Sequence, residues 1–411
     1  MMRLTEVSVK GYRALADFHA ELGPLTVIIG PNACGKSTLL EVLGLASEGA
    51  AGGAVVDPIA RRGGVQSILW RGGTPWFSLR FSLQANDPPP GPELYYDLVV
   101  GRDGHVRTEH LANSGPYRGA YDPFSFLERT GNKGSIRSLE TGVERFFVDS
   151  VGPNEVALSR MGHPEEFKEL DSVAAYFASW RFYLGFDVGA DARMRRAYKL
   201  GSDATRDEYL APDGRNLAAM ISRLRSTASL ADNFAELEDV CRAAFPEDFK
   251  SVGTRRSATG AEEIIEWVER RGWVFHAGEL SDGILRFLCL AVLSAAPHPP
   301  PLVGIDEPEV GFHPGLLPIV ADMLKGLAER TQLIVLTHSP ELLNGFELDD
   351  IAVMTKDECG CHLHRPADRR QLRYLLGPTV GETMGGLHVS GELEIPPERT
   401  EARAPLEDGH E

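Results

Sequence analysis

The run Gly30-Pro-Asn-Ala-Cys-Gly-Lys-Ser-Thr38, GPNACGKST, follows the apolar stretch Leu25 to Ile29 and leads into a segment whose apolar residues recur at helical spacing. Gly30, Gly35, Lys36 and Ser37 match GxxxxGK[ST], and a preceding strand with a following helix is the context that pattern requires. Glycines let backbone N–H groups wrap a phosphate, while the helix directs its positive end at the same anion. Lys36 is therefore expected to reach the β and γ phosphates and Ser37 to ligand a magnesium ion. Pro31, Asn32, Ala33, Cys34 and Thr38 complete the loop, with Cys34 expected to offer mainly its backbone N–H. Its sulfur lies near a helix N-terminus, which favours the thiolate, so oxidative inactivation is the second reading of that residue.

Phosphate binding alone does not separate kinases, GTPases, transporters and DNA motors. The run PLVGIDEPEVGFHP, residues 301–314, narrows the choice by placing Asp306 and Glu307 at the end of an apolar strand. Asp306 can hold the magnesium of bound ATP, and Glu307 can orient or deprotonate the attacking water. An acid beside the magnesium acid implies hydrolysis. In Gly278-Glu-Leu-Ser-Asp-Gly-Ile-Leu-Arg286, Ser281 reads as an N-cap and Gly283 leaves a helix start open to an anion. Alone, that is an ordinary capped helix. In Leu336-Thr-His338-Ser-Pro, a histidine ends the next apolar strand, where it can sense the γ phosphate beside Asp306 and Glu307.

The chain has 411 residues, 43% hydrophobic and 25% charged, enough for a sizeable core in two or three domains or one domain with an insertion. Its formal charge of −17 gives no global attraction for nucleic acid, so DNA contact would need a local patch. Arg193, Arg195, Arg196 and Lys199 are the candidates, against the reading that they form a solvated face. The apolar run Ile284 to Ala296 falls short of the roughly 20 residues that span a bilayer, and the N-terminus lacks an apolar signal core. A cytoplasmic protein without a membrane partner is expected. Five cysteines without framework spacing suit a reducing compartment. The cluster Cys359-Gly-Cys361-His362-Leu-His364 reads as a turn in a surface hairpin, because its spacing is not that of common zinc sites.

Along the chain, Leu4 to Val9 and Leu25 to Ile29 read as strands, as do Gly63 to Leu83 and Leu94 to Val106 on either side of a proline loop. Residues from about Ser150 to Cys241 read as helices. Trp267 to His276 returns to strand, and after Ser281 helices alternate with the strands Leu302 to Ile305 and Gln332 to Leu336. Such alternation predicts a largely parallel sheet with helices on its faces.

Together these residues resemble the ATP-binding-cassette class of ATPases. GPNACGKST looks like its Walker A motif, LSDG its signature, GIDE its Walker B motif and His338 its switch histidine. EPEVGFHP, THSPELL and the opening VKGYRALADFHAELGPLTVIIGPN look like the RecF, SMC and OLD-type branch. GGVQSILWRGG, DGRNLAAMISRL, ELSDGILRFLCLAVL and GPTVGETMGGL resemble a group of RecF-like ATPases, so the likeness covers most of residues 1 to 390. It implies an α/β P-loop NTPase head of ABC type, with a mostly parallel core sheet, an antiparallel β subdomain and an inserted helical lobe. The expected division is 1–149 for the N-terminal part of the head, 150–265 for the helical lobe, 266–391 for the C-terminal part and 392–411 for a disordered tail.

The resemblance also implies a homodimer in which two heads sandwich two ATP molecules. Ser281 and Gly283 of one copy then cap the γ phosphate held by Lys36 of the other. Arg13, in the turn after the first strand, is a candidate contact to the base or ribose. The glutamine that often joins core to helical lobe is not obvious: Gln66 within VQSILW and the Trp180-Arg-Phe-Tyr-Leu strand before Asp187 are the alternatives. DNA maintenance or defence against foreign DNA, with a nuclease or other effector partner, is the first expectation. A protein-only switch and a transporter ATPase subunit are the others. The residues after His338 include a hairpin and a charged tail, so a nuclease domain within this chain is not expected.

Overall fold

The computed structural model describes residues 2–395 except 53–54, 86–92, 116–122, 162–165, 200–207, 259, 261, 367–369 and 378–379. The proline loop and the tail beyond 395 lie outside the described residues.

A six-stranded sheet carries the motifs. Its strands run in the order Arg181–Tyr183, Leu302–Asp306, Gln332–Leu336, Leu25–Ile29, Ile351–Asp357 and Gly360–His364. The first five pair in parallel and the last closes antiparallel as a hairpin. Alternate residues of these strands enter different cores, as the two-residue period of a strand demands. Val27, Ile29, Val303, Ile305, Leu333 and Val335 join one core, which also holds the helices Leu217–Ser226, Asp282–Ser294 and Leu317–Ala328. Ile28, Leu302, Ile334 and Leu336 join the other, with the helices Lys36–Gly52 and Lys168–Ala178. The helix after the glycine loop and the helix after LSDG thus occupy opposite faces of one sheet.

The largest sheet is a different one. Eight strands, Leu15–Glu21, Met2–Tyr12, Trp76–Ala85, Leu94–Gly101, Val106–Asn113, Ser125–Thr130, Lys133–Arg137 and Glu144–Val148, lie in that order and pair antiparallel throughout. The expected antiparallel β subdomain is thus the larger sheet, and the parallel pairing expected of the core is confined to the six-stranded sheet. The reason is local: short connections such as Thr130 to Lys133 close hairpins, whereas parallel neighbours need long crossovers.

Two polar side chains join the layers. Gln332, 4% exposed, accepts from the Leu4 N–H at 3.0 Å and donates to the carbonyls of Leu4 at 2.6 Å and Gly23 at 3.0 Å, tying the two sheets together. Glu109, fully buried, accepts from the N–H groups of Ala157 and Leu158 at 2.7 Å each and from Tyr96 Oη at 2.9 Å, and pairs with Arg129.

Other expectations are redrawn. Gly63 and Gly64 adopt φ of +93° and +82°, so a turn and a short helix, Val65–Ile68, precede the strand Trp76–Ala85 where an unbroken strand from Gly63 was expected. The segment expected to be helical between 150 and 265 contains the strand expected after Trp180, at Arg181–Tyr183, and also the strands Tyr198–Lys199, Phe249–Arg256 and Glu262–Glu269. Glu263, Ile265 and Trp267 are buried at alternate positions, a two-residue period hidden because the buried face carries a glutamate and the other face carries Ile264 and Val268. A turn at 270–273 then separates that strand from Val274–His276.

Candidate active site

The strand Leu25–Ile29 is buried throughout, and the glycine loop leaves its C-terminal end. Gly30 has φ +145°, and a Cβ there would lie 2.1 Å from the Met354 carbonyl oxygen. Gly35 has φ +104°, and a Cβ would lie 2.9 Å from Cys361 Sγ. Only glycine satisfies both positions. Ala33 is left-handed as well, with φ +62°. Pro31, Asn32 and Ala33 are exposed, and Thr38 is half-buried on the first helical turn. Lys36 lies along this loop, its Nζ donating to the carbonyls of Gly30 at 2.8 Å and Pro31 at 3.1 Å. The Cys34 side chain turns inward, 2% exposed, with Sγ 3.8 Å from Lys36 Nζ, and its N–H donates to the Pro31 carbonyl at 3.4 Å. Cys361 belongs to the expected hairpin, yet it is buried against the loop and not on the surface. Burial pushes its thiol up to about 11, with the nearby Cys34 adding to the shift.

Parallel pairing brings the acids to this loop. Ser37 Oγ donates to Asp306 Oδ2 at 2.9 Å, so a hydroxyl and a carboxylate oxygen lie side by side. Such hard oxygen donors fit magnesium, which takes one or two protein ligands and completes its shell with phosphate oxygens and water. Burial pushes the Asp306 carboxyl above its ordinary range, and the Glu307 charge adds to this; the Ser37 hydrogen bond and Lys36 oppose it. Glu307 is exposed and has φ +49°, a strained conformation that costs about 1–3 kcal/mol. Its N–H donates to the Leu336 carbonyl at 2.8 Å, which holds the turn in place.

His338 follows the neighbouring strand. Burial lowers its pKa below the ordinary value, Lys36 adds to the lowering, and Glu307 and Asp306 oppose it. Its backbone N–H is held by a residue that sequence reasoning passed over: Glu309 Oε1 accepts from Thr337 Oγ1 at 2.6 Å and from the His338 N–H at 3.1 Å. Burial raises the Glu309 pKa. Glu309 thus ties the loop after the acidic strand to the loop carrying the histidine. The available signal was a second glutamate two residues after Glu307, which reads equally well as a solvated turn.

Ser281 caps the helix Asp282–Ser294, its Oγ accepting from the Ile284 N–H at 3.3 Å. Gly283 packs so closely that a Cβ would lie 3.1 Å from the Gly311 carbonyl oxygen, in the loop that follows Glu307. The start of this helix therefore sits at the same sheet end as the glycine loop, on the other face.

Arg13 has φ +45° and pairs with Glu41 at 3.1 Å on the rim of a cleft of about 1010 Å³ that runs from Ser37 along the helix Lys36–Gly52. Gln66 lies in the short helix beside the Arg13 turn, since the Arg13 N–H donates to the Ile68 carbonyl at 2.7 Å. The strand Arg181–Tyr183 lies parallel beside Leu302–Asp306, so residues 184–187 emerge next to Asp306. Of the basic run, Arg195 is taken up by backbone carbonyls and Asp282, while Arg196 pairs with Asp191 at 3.0 Å.

Residues 25–344 match the AAA_21 family model, described as "AAA domain, putative AbiEii toxin, Type IV TA system". Among curated proteins, the DNA replication and repair protein RecF of Magnetococcus marinus is 34% identical over 87 residues, 21% of this chain and 20% of that protein. The OLD nuclease of Thermus scotoductus is 48% identical over 42 residues, 10% of this chain and 8% of that protein. The chain thus spans only a fifth or less of the curated relatives it matches. Among solved structures, an Smc head bound to the C-terminal winged-helix domain of ScpA superposes with a TM-score of 0.51 at 14% identity, covering 88% of this chain and 97% of that one. An Smc head domain with an extended coiled coil from Pyrococcus furiosus, bound to the C-terminal domain of ScpA, gives 0.51 at 12% identity, covering 92% and 100%.

Proposed function

This chain belongs to the AAA_21 family and has an ATPase head of the RecF, SMC and OLD type, and we propose that it binds and hydrolyses ATP between two copies of itself. One observation carries the reading. The helices starting at Lys36 and Asp282 begin at the same end of the six-stranded sheet but on opposite faces, so each copy presents two separated half-sites on one surface. A second copy facing the first brings the complementary halves together.

In this reading the glycine loop and Lys36 hold the phosphates, and Ser37 with Asp306 holds magnesium, which neutralises phosphate charge when bound. Glu307 accepts a proton from the attacking water, and His338, neutral near pH 7, hydrogen-bonds at the γ phosphate. Ser281 and the helix N-terminus that it caps come from the other copy and stabilise the charge that develops there. A lone copy lacks those donors and hydrolyses poorly. Replacing Glu307 with Gln removes the proton acceptor and leaves the binding groups in place, so an ATP-bound dimer accumulates. Light scattering during size exclusion with saturating ATP reads this directly; a variant that stays monomeric overturns the reading.

The cycle serves DNA maintenance or defence against foreign DNA through an effector partner. Similarity to RecF supports the first, and the toxin in the family description with the OLD nuclease match supports the second. A protein-only switch is the alternative, favoured by one observation: the guanidinium of Arg195, central to the expected DNA patch, already has its donors engaged.

A further inference from the structure

The engagement of Arg195 has its own meaning. Its side chain is 10% exposed. Nε donates to the carbonyls of Val188 at 2.8 Å and Gly189 at 3.1 Å, and Nη1 to those of Leu280 at 2.7 Å and Ala277 at 3.4 Å. Nη2 donates to the Asp282 carboxylate. Leu280 and Asp282 flank Ser281, so one guanidinium grips the capping residue's neighbours on both sides. Ala277 and Leu280 are buried residues, and Arg195 supplies a donor to the carbonyl of each. Only the planar five-donor fork of arginine meets so many acceptors at once; a lysine ammonium offers three donors from a single point.

The other end of this grip is equally specific. Val188 and Gly189 follow shortly after the strand Arg181–Tyr183, which lies parallel beside the Asp306 strand. Arg195 therefore connects the segment leaving the magnesium end of the sheet to the turn that presents Ser281 and Gly283.

We propose that Arg195 is a positioning residue that sets the Ala277–Asp282 turn, and through it the half-site this subunit offers to the ATP bound by its partner. The proposal deepens the composite-site reading above and rests on it. Arg195 touches no phosphate. It controls whether the cap is held in register with the second copy.

The test uses full-length chains and mixtures of variants. Arg195→Ala binds a fluorescent ATP analogue at low protein concentration within about twofold of wild type, because Lys36 and the glycine loop are untouched. Its kcat falls at least tenfold with KM little changed, and ATP no longer drives dimerisation. Arg195→Lys, which keeps the charge and loses most of the fork, shows a smaller loss at near-native Tm, so the outcome stands even if the alanine variant folds poorly. Mixing supplies the readout that a merely structural role would not move. Arg195→Ala mixed with Lys36→Ala recovers activity, since one composite site then combines an intact loop with an intact cap. Arg195→Ala mixed with Ser281→Arg does not, since both copies are damaged on the cap side. Wild-type kcat in both Arg195 variants, recovery in the Ser281→Arg mixture, or loss of analogue binding in proportion to kcat overturns the proposal. Lys36→Ala mixed with Ser281→Arg is the separate control: if that pair fails to recover activity, the composite-site reading itself falls.

Discussion

Gly35 shows how closely the phosphate loop is packed. With φ +104° and the Cys361 sulfur 2.9 Å from where a Cβ would stand, Gly35→Ala must shift both the loop and the hairpin behind it. We expect at least a tenfold loss of ATP affinity with far-UV circular dichroism unchanged, measured with a fluorescent analogue. His338 yields a prediction in pH. Its folded pKa lies below the ordinary 6.5, so the folded chain takes up its proton later than the unfolded chain. The stability linked to this histidine is present above about pH 6.5 and is lost as pH falls through the lower folded value. Thermal unfolding of wild type should decline more steeply than that of His338→Gln as pH falls below about 6.5; parallel declines would refute a neutral, half-buried imidazole. At this scale the placement of the glycine loop, Asp306, Glu307 and His338 at strand ends was legible, because each follows a short apolar run. Glu309 was not legible, because its partners Thr337 and His338 lie 28 and 29 positions away.

Among the elements, the contact between the two large sheets depends on Gln332. Its amide satisfies both backbone groups of buried Leu4 and the carbonyl of half-buried Gly23. Gln332→Leu keeps the volume and strands those groups, at a cost of about 1–3 kcal/mol for each left unpaired. A fall of several degrees in Tm is expected by calorimetry, whereas an unchanged Tm would show that the sheets are joined by apolar packing alone. The parallel strands Leu25–Ile29, Leu302–Asp306 and Gln332–Leu336 were readable as short apolar runs bounded by turns, since both their faces are covered. The strands Phe249–Arg256 and Glu262–Glu269 were not. The first carries charged residues at Lys250, Arg255 and Arg256, the second buries Glu263 on the same face as Ile265 and Trp267, and only pairing across the hairpin shows which face is inside.

The whole molecule carries a charge of −17, and its expected basic patch is partly consumed internally. If DNA is the partner, it must meet a local surface, and the contact must weaken as salt displaces it. Duplex DNA should raise the ATPase rate at low salt, with the stimulation disappearing as ionic strength rises. A rate indifferent to duplex, nicked and single-stranded DNA at every salt concentration would favour the protein-only switch. By itself, the sequence determined where the residues of the proposed nucleotide site lie along the chain, because a glycine loop, a paired acid at a strand end and a terminal histidine are local patterns with few alternative uses. Tertiary structure decided what those patterns face. Only the shared sheet places Ser281 and Lys36 on opposite sides of one surface, and only packing turns Arg195 away from solvent onto the carbonyls around Ser281. Sequence spacing carries neither fact, because a guanidinium goes where unpaired acceptors are, and the fold alone brings those acceptors together.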